Sequence, residues 1–161
     1  MSKRIEIHLS KSLKLTNCLL LEISKEEDFE KIDNLELTVQ QMNLHVQQRG
    51  AKLIGPLIQK TETKVDDDGM PHMFITLIRQ ADTHIHHADP PYQTESIIRE
   101  PDCLYSRFIG EDSDVQHAYN KLHLVGYEEE IPLRGAIYTV FVDQNEEDGT
   151  GTVDIFMPKK N

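Results

Sequence analysis

The sequence predicts an α+β fold in which a strand–helix–strand–strand module is duplicated in tandem. The pair Asp68-Gly69 recurs eighty residues later as Asp148-Gly149, and Gly55 recurs at the same offset as Gly135. Between these anchors, each half carries one helical stripe of apolar residues. A repeat of this length is one supersecondary unit used twice. We therefore expect antiparallel sheet, two main helices and a pseudo-two-fold axis, with a cleft between the repeats that is a favoured place for a ligand.

The first repeat, 12–79, begins with a predicted strand over 17–24. Asp33 then looks like a helix N-cap, because Glu36 follows in the capping-box position. An apolar stripe predicts a helix near 34–49, which Gly50 ends. Two strands follow, joined by an aspartate-rich hairpin loop that contains Gly69; they are predicted over 53–63 and 71–79. The first dozen residues alternate weakly and leave two alternatives open, an added strand or a loose arm.

A polar linker, 80–94, separates this repeat from the second, 95–158, in what we predict to be a single domain over 1–161. The second repeat contains a strand around 103–109 and a helix over 113–125, capped by Asp112 or Ser113. Gly126 is predicted to stop this helix. Its last two strands are expected over 135–143 and 152–157.

Composition limits the classes of function. The chain has 161 residues and a formal net charge of −11, which argues against nucleic-acid and anionic-membrane partners. Its start shows no export signal and no run of apolar residues is long enough to cross a membrane, so we expect a cytoplasmic protein. Cys18 and Cys103 occupy equivalent strand positions and are expected to be reduced core thiols.

Several segments together resemble one known family. They are Gly50 through Pro56, Tyr105 through Gly110, Ala118 through Leu122, Tyr138 through Phe141 and Val153 through Pro158. Their order and spacing, over about residues 12 to 158, resemble the GyrI-like superfamily, a small-molecule-binding fold also found as the effector-binding domain of AraC- and MerR-type transcription regulators. The resemblance implies a stand-alone member, since a helix-turn-helix has no room before residue 17.

Two departures from the family pattern concern the ligand site. The resemblance implies a glutamate that faces cationic ligands across the cleft, and that position matches Asp154, one methylene shorter. Family members that bind or hydrolyse ligands tend to place tryptophan in the cleft, and this chain has none. We therefore expect an eroded or altered pocket.

The candidate ligand-binding residues come from strand alternation around Asp154. Alternation sends Asp154 and Phe156 to one face of the sheet and their apolar neighbours to the other. If the first face lines the cleft, Asp154 with Tyr138 and Tyr105 would form an aromatic pocket holding one anion, which suits an organic cation. The alternative is a face open to water, where an aspartate has no special role.

Two further charged residues bear on this hypothesis. Glu22 lies between Leu21 and Ile23, so it is the same kind of residue in the first repeat, and it either faces the cleft or points outwards. Arg107 could pair with either acid and cancel its charge, which would weaken the case for a cationic ligand.

The sequence contains no support for catalysis, a metal or a cofactor. No nucleophile elbow, phosphate-binding loop, dinucleotide fingerprint or zinc-protease motif is present. His84, His86 and His87 are metal-ligand types, but a tetrahedral site would need one or two ligands from elsewhere. We interpret this cluster as part of a polar linker.

The predicted function is non-catalytic binding of a small, cationic or lipophilic organic molecule in the cleft between the repeats. The alternative is an acidic protein-interaction module that docks on a basic partner protein. The net charge of −11 favours this alternative, and the acidic runs are expected to be solvated loops: 26–28, 66–68, 128–130 and 146–148. Acids spread over loops would indicate a docking surface, whereas one acid among aromatics would indicate a ligand site.

Overall fold

The computed structural model describes residues 5–24, 31 and 33–160. The chain divides into two compact units. The continuous unit is Lys14–Ile98, and the split unit combines Met1–Leu13 with Arg99–Asn161.

The continuous unit contains a three-stranded antiparallel sheet and one helix. Its elements are β1 (Ile7–Ser24, which begins in the split unit), α1 (Leu35–Gln48), β2 (Leu53–Val65) and β3 (Pro71–Ala81). β3 lies between β1 and β2. Met42 and Val46 of α1 pack on apolar side chains of the sheet, including Leu19, Leu21 and Leu77, and this contact forms the core of the unit.

The split unit has the same order of elements. They are β4 (Gln93–Glu111, which begins in the continuous unit), a 3₁₀ turn (Asp112–Asp114), α2 (Val115–Glu128), β5 (Ile137–Asn145) and β6 (Thr150–Pro158). β6 lies between β4 and β5, and both pairings are antiparallel. Ala118 and Leu122 of α2 pack against Leu104, Ile155 and Met157 of the sheet.

The α+β class, the antiparallel pairing and the two helices are confirmed. Strand, helix, strand, strand is the order of elements in each unit. Duplication and the pseudo-two-fold axis stay predictions, to be checked by superposing 17–79 on 102–157. The single domain and the repeat boundaries proposed from the sequence also stay predictions.

Gly126 does not end its helix, contrary to the sequence prediction, because α2 continues to Glu128. A Cβ atom at Gly126 would lie 3.4 Å from Leu133 Cδ1 and 3.5 Å from Leu104 Cδ1. The glycine therefore sits where the helix packs closely on its neighbours. In the continuous unit, by contrast, Gly50 has a φ of +80° just beyond α1, as expected for a helix-ending glycine.

The first helix starts after Asn34 rather than at a cap on Asp33. The hairpin between β2 and β3 is present, and Asp66 Oδ1 accepts backbone hydrogen bonds from Asp68 and Met70, both 2.9 Å long. Of the two alternatives for the first dozen residues, the structure has the strand, since β1 begins at Ile7. The acidic run 26–28 lies outside the described residues.

Candidate functional site

The predicted site residues of the split unit lie on one face of the β4–β6–β5 sheet. Tyr105, Phe156 and Tyr138 are directly opposite one another across the three strands. Arg107 is opposite Asp154 in the same way. Residues directly opposite in antiparallel strands place their side chains on the same face. The face of Asp154 is thus the one turned away from α2, because the alternating residues pack with that helix: Val153, Ile155 and Met157.

Asp154 is held by three hydrogen bonds. Arg107 donates from Nε to Oδ1 at 2.7 Å and from Nη2 to Oδ2 at 2.9 Å. Tyr105 donates its hydroxyl hydrogen to Oδ1 at 2.8 Å. The Asp154 side chain is only 14% exposed, while that of Arg107 is 50% exposed. The pair is therefore a two-pronged ion pair with its acid inside and its base facing outwards.

The electrostatics of this pair favour the charged forms of both partners. Burial alone would raise the pKa of the Asp154 carboxyl, but hydrogen bonds from Arg107 and Tyr105 outweigh it, and the pKa is lowered. The hydrogen bond and the charge of Asp154 raise the pKa of Arg107 in turn. Burial, together with the hydrogen bond to the carboxylate, raises the pKa of Tyr105. Asp154 is consequently ionised at neutral pH, and its charge is matched by Arg107.

A cavity of about 440 Å³ lies beside this network within the split unit. Its lining consists of Glu6, His8, Lys11, Tyr105, Arg107 and Ile109. The Lys11 ammonium nitrogen is 4.4 Å from the centroid of the Tyr105 ring, a cation–π contact. The His8 ring centroid is 5.5 Å from that of Tyr105. Two basic side chains, a histidine and an aromatic ring thus meet at one opening.

The cavity brings together only part of the predicted site. Tyr105 lines it, and Asp154 lies behind Tyr105 and Arg107. Phe156 is buried and supports Tyr105, with ring centroids 4.9 Å apart. Tyr138 is also buried, and its hydroxyl donates to Glu100 Oε2 at 2.8 Å. Phe156 and Tyr138 are therefore not among the residues that line this cavity.

Glu22 belongs to the continuous unit and lies at its surface. It accepts a hydrogen bond from Lys64 Nζ at 2.9 Å, and its side chain is 45% exposed. Exposed lysine–carboxylate pairs of this kind contribute little to stability. Glu22 does not line the cavity of the split unit.

Sequence reasoning missed three ionisable residues that line the cavity, Glu6, His8 and Lys11. They come from the start of the chain, where the alternation is too weak to establish a strand. The one available clue was the polar pair Glu6 and His8 alternating with Ile5 and Ile7. The buried Glu100, which binds Tyr138 and Arg134, was also missed.

The thiols and histidines offer no separate reactive centre in the described part of the chain. Cys18 and Cys103 are free and buried. Burial, with a further contribution from nearby carboxylates, raises the pKa of each thiol to about 11. The rings of His84 and His86 meet edge-on at 4.9 Å. Among the described residues, no group of three or more histidine, cysteine, aspartate or glutamate side chains is placed to hold a metal ion.

Comparison with known proteins shows the fold alone. No protein-family model matches the sequence, and no curated protein matches it. EcmrR in its complex with DNA has a similar fold, with a TM-score of 0.64 and 12% identity over 98% of this chain and 58% of that chain. SAV2435 bound to tetraphenylphosphonium gives a TM-score of 0.56 and 12% identity over 94% of each chain. A hydrolase from Listeria innocua gives 0.53 and 12%, covering 98% of this chain and 92% of that chain.

These likenesses are consistent with the fold that the GyrI-like resemblance implies. At such low identity they carry no residue roles to this chain. Within the described residues, no helix has the length and apolar character needed to cross a membrane.

Proposed function

We propose that this protein is a GyrI-like binding protein that takes up a small organic molecule without transforming it. The observation that carries the proposal is the cavity of about 440 Å³ beside Tyr105, where a two-pronged ion pair holds charged groups in place. A volume of this size lies within the range of small-molecule pockets, and Tyr105 and the ion pair supply an aromatic wall and fixed polar groups. The solved structure of SAV2435 with tetraphenylphosphonium, an aromatic cation, supports small-molecule binding by a protein of similar fold, although not the sign of the ligand's charge.

Binding without catalysis is the simpler proposal for this cavity. Among the described residues, its lining contains no serine, threonine or cysteine that could act as a nucleophile. The phenol of Tyr105 is a poor base or nucleophile at neutral pH, since burial and its bond to Asp154 raise its pKa. Cys103, in the same unit, is buried and its thiol pKa is about 11. Very little reactive thiolate therefore forms at neutral pH.

Within this proposal the predicted site residues have different tasks. Tyr105 contacts the ligand, Asp154 holds Tyr105 and Arg107 in position, and Phe156 and Tyr138 support the sheet face behind them. Glu22 has no part in this cavity. An organic cation, as first expected from the sequence, would reach Asp154 only by displacing Arg107, because both carboxylate oxygens already accept its hydrogen bonds.

The test is a ligand screen followed by two matched variants. Thermal-shift measurements with charged and neutral aromatic compounds should yield at least one ligand, whose affinity is then measured by calorimetry. Tyr105→Leu should weaken that affinity about tenfold through the loss of aromatic contact. Tyr119→Leu is the control, because Tyr119 lines a different and smaller cavity of about 240 Å³ in the same unit. A loss confined to Tyr119→Leu would contradict the assignment of the site.

A second candidate function is docking on a basic partner protein. The described acidic runs favour it, since 66–68, 128–130 and 146–148 are all exposed. Tyr127, immediately before the run 128–130, is strongly exposed. A lysine decamer should then bind at low salt and dissociate as salt screens the charges. Neutralising Glu128, Glu129 and Glu130 with glutamine should abolish that binding if the surface is specific, and a small uniform loss would mean general attraction only.

A further inference from the structure

In the cavity beside Tyr105, the acid expected to meet a cation is already paired. Asp154 is the acid nearest its aromatic wall, and both of its oxygens are bound by Arg107. The described groups that line the opening are instead Arg107, Lys11 and His8, together with the acid Glu6. In a protein of net charge −11, this is a local concentration of basic side chains.

The geometry of Arg107 leaves donors for a second acid. A guanidinium carries five N–H groups, and Asp154 uses one on Nε and one on Nη2. The Nη1 edge of the guanidinium is not used by Asp154, and the Arg107 side chain is half exposed in the lining of the cavity. Because Nε and Nη2 donate hydrogen bonds to Asp154, the Arg107 guanidinium is held in one orientation before a ligand binds. Such preorganisation lowers the cost of binding.

Lys11 and Ile109 supply the remaining features of a site for an organic anion. Lys11 is exposed on β1, and its ammonium group is anchored over the Tyr105 ring. It adds a second positive charge at the opening. Ile109 is 63% exposed in the same lining, an apolar surface that a ligand's hydrocarbon body could cover.

We propose that the ligand is a small organic anion, a carboxylate on an apolar body, with the carboxylate bound by Arg107 and Lys11 and the body against Ile109 and Tyr105. This inference rests on the proposed function. Asp154 is then a positioning residue for Arg107, not the group that meets the ligand. Asp154 lies on the sheet face that strand alternation predicted, but the sign of the ligand's charge is opposite to the one expected from the sequence.

The experiment compares three probes that share one aromatic body. Naphthoate, naphthylmethylammonium and naphthalenemethanol carry a negative, a positive and no charge, and their affinities for the full chain are measured by calorimetry at low salt. Naphthoate should bind at least about tenfold more tightly than the other two, as a charge-assisted contact requires. If the cation or the alcohol binds as tightly, the anion inference fails and the proposed binding function stands. If none of the three binds, both fail.

Variants that remove one charge from the lining then test how each charged residue affects naphthoate affinity. Lys11→Met should weaken naphthoate binding about fivefold, and Glu6→Gln should strengthen it about twofold, because opposite and like charges at an exposed site act in opposite directions. Lys14→Met is the matched control, since Lys14 is exposed on the same strand and does not line the cavity. It should leave the affinity unchanged. An equal loss with Lys14→Met would reduce the effect to net charge and overturn the site.

Variants of Arg107 test whether the site prefers an anion or a cation. Removing the whole pair with Arg107→Met/Asp154→Asn should abolish naphthoate binding without leaving an unmatched buried carboxylate. The single variant Arg107→Met frees Asp154 and should bind naphthylmethylammonium more tightly than the wild type does. Naphthoate binding that survives in the double variant, with folding confirmed by thermal unfolding, would overturn the proposal.

Discussion

Glu22 in the continuous unit and Asp154 in the split unit are both acids flanked by apolar residues in a strand, yet their surroundings differ. Glu22 is 45% exposed and meets a lysine at a single contact. Asp154 is 14% exposed and meets an arginine at two atoms and a tyrosine at a third. The planar fork of arginine matches a carboxylate, whereas a lysine acts as a point charge. The same sequence pattern thus produces a surface ion pair in the continuous unit and a fixed, partly buried ion pair in the split unit.

The helix-associated glycines differ in the same way. Gly50 adopts a left-handed conformation after α1, while Gly126 lies inside α2 and packs against Leu104 and Leu133. Equivalent places in the sequence pattern thus have different physical reasons for their glycine. The two cysteines, by contrast, are both buried, and burial raises the pKa of both thiols. Matched substitutions in the two units therefore test each of these differences.

The largest expected effect concerns the thiols, where the two units should behave alike. Cys18 and Cys103 are buried and each thiol pKa is raised to about 11. In the native protein at neutral pH, both should react with a disulfide reagent more than about a hundredfold slower than in the unfolded chain. A thiol titration with and without denaturant measures this. If one cysteine reacts quickly in the native protein, the units are not equivalent here and a nucleophilic role for that thiol reopens.

The acids should separate the two units. Asp154→Asn should lower the free energy of unfolding by about 2 kcal/mol, because it leaves Arg107 without its ionic partner and removes charge-assisted hydrogen bonds. Glu22→Gln should change it by less than about 0.5 kcal/mol, as is usual for an exposed pair. Urea unfolding of the two variants beside the wild type checks this. Equal effects from the two substitutions would show that the burial difference has no energetic consequence.

The pH dependence of the free energy of unfolding should also reflect the ionised Asp154. The folded-state pKa of Asp154 is lowered from its ordinary value of 3.8. A lowered acid pKa means that stabilisation is fully present above the unfolded value and is lost as pH falls through the folded value. The stability advantage of the wild type over Asp154→Asn should hold from neutral pH to near 4 and shrink below that. Unfolding curves at stepped pH measure it, and an advantage that persists at pH 2 would contradict an ionised Asp154 as its source.

These comparisons also show what the sequence could and could not predict. Periodicity and turn chemistry were enough for both helices, both hairpins and the alternation around Asp154, because those features depend on neighbours in the chain. Whether the Asp154 carboxylate is paired depends on Arg107, forty-seven positions away in the chain. The sequence offered that pairing only as one of several. Lys11 was missed because its role is set by its contact with the Tyr105 ring, which no local pattern encodes.

The smallest effect, and the one with opposite signs, concerns the glycines. Gly50 has a φ of +80°, so Gly50→Ala strains the backbone and should lower the free energy of unfolding by about 1 kcal/mol. Gly126 is helical, and a methyl group there would make ordinary contacts at 3.4 and 3.5 Å with Leu133 and Leu104. Gly126→Ala should therefore raise it by up to about 1 kcal/mol, since alanine favours the helix and restricts the unfolded chain.

Thermal and urea unfolding of the two glycine variants, with helix content followed by circular dichroism, decide between the two descriptions of Gly126. Stabilisation by Gly126→Ala alone means that the helix continues through this position and that its glycine is retained for close packing rather than for ending the helix. Larger side chains should then reverse the sign, because Gly126→Val would press its extra methyl groups on Leu104 and Leu133. If Gly126→Ala destabilises as much as Gly50→Ala, the two glycines both end their helices, as the sequence pattern predicted, and the difference between the units disappears.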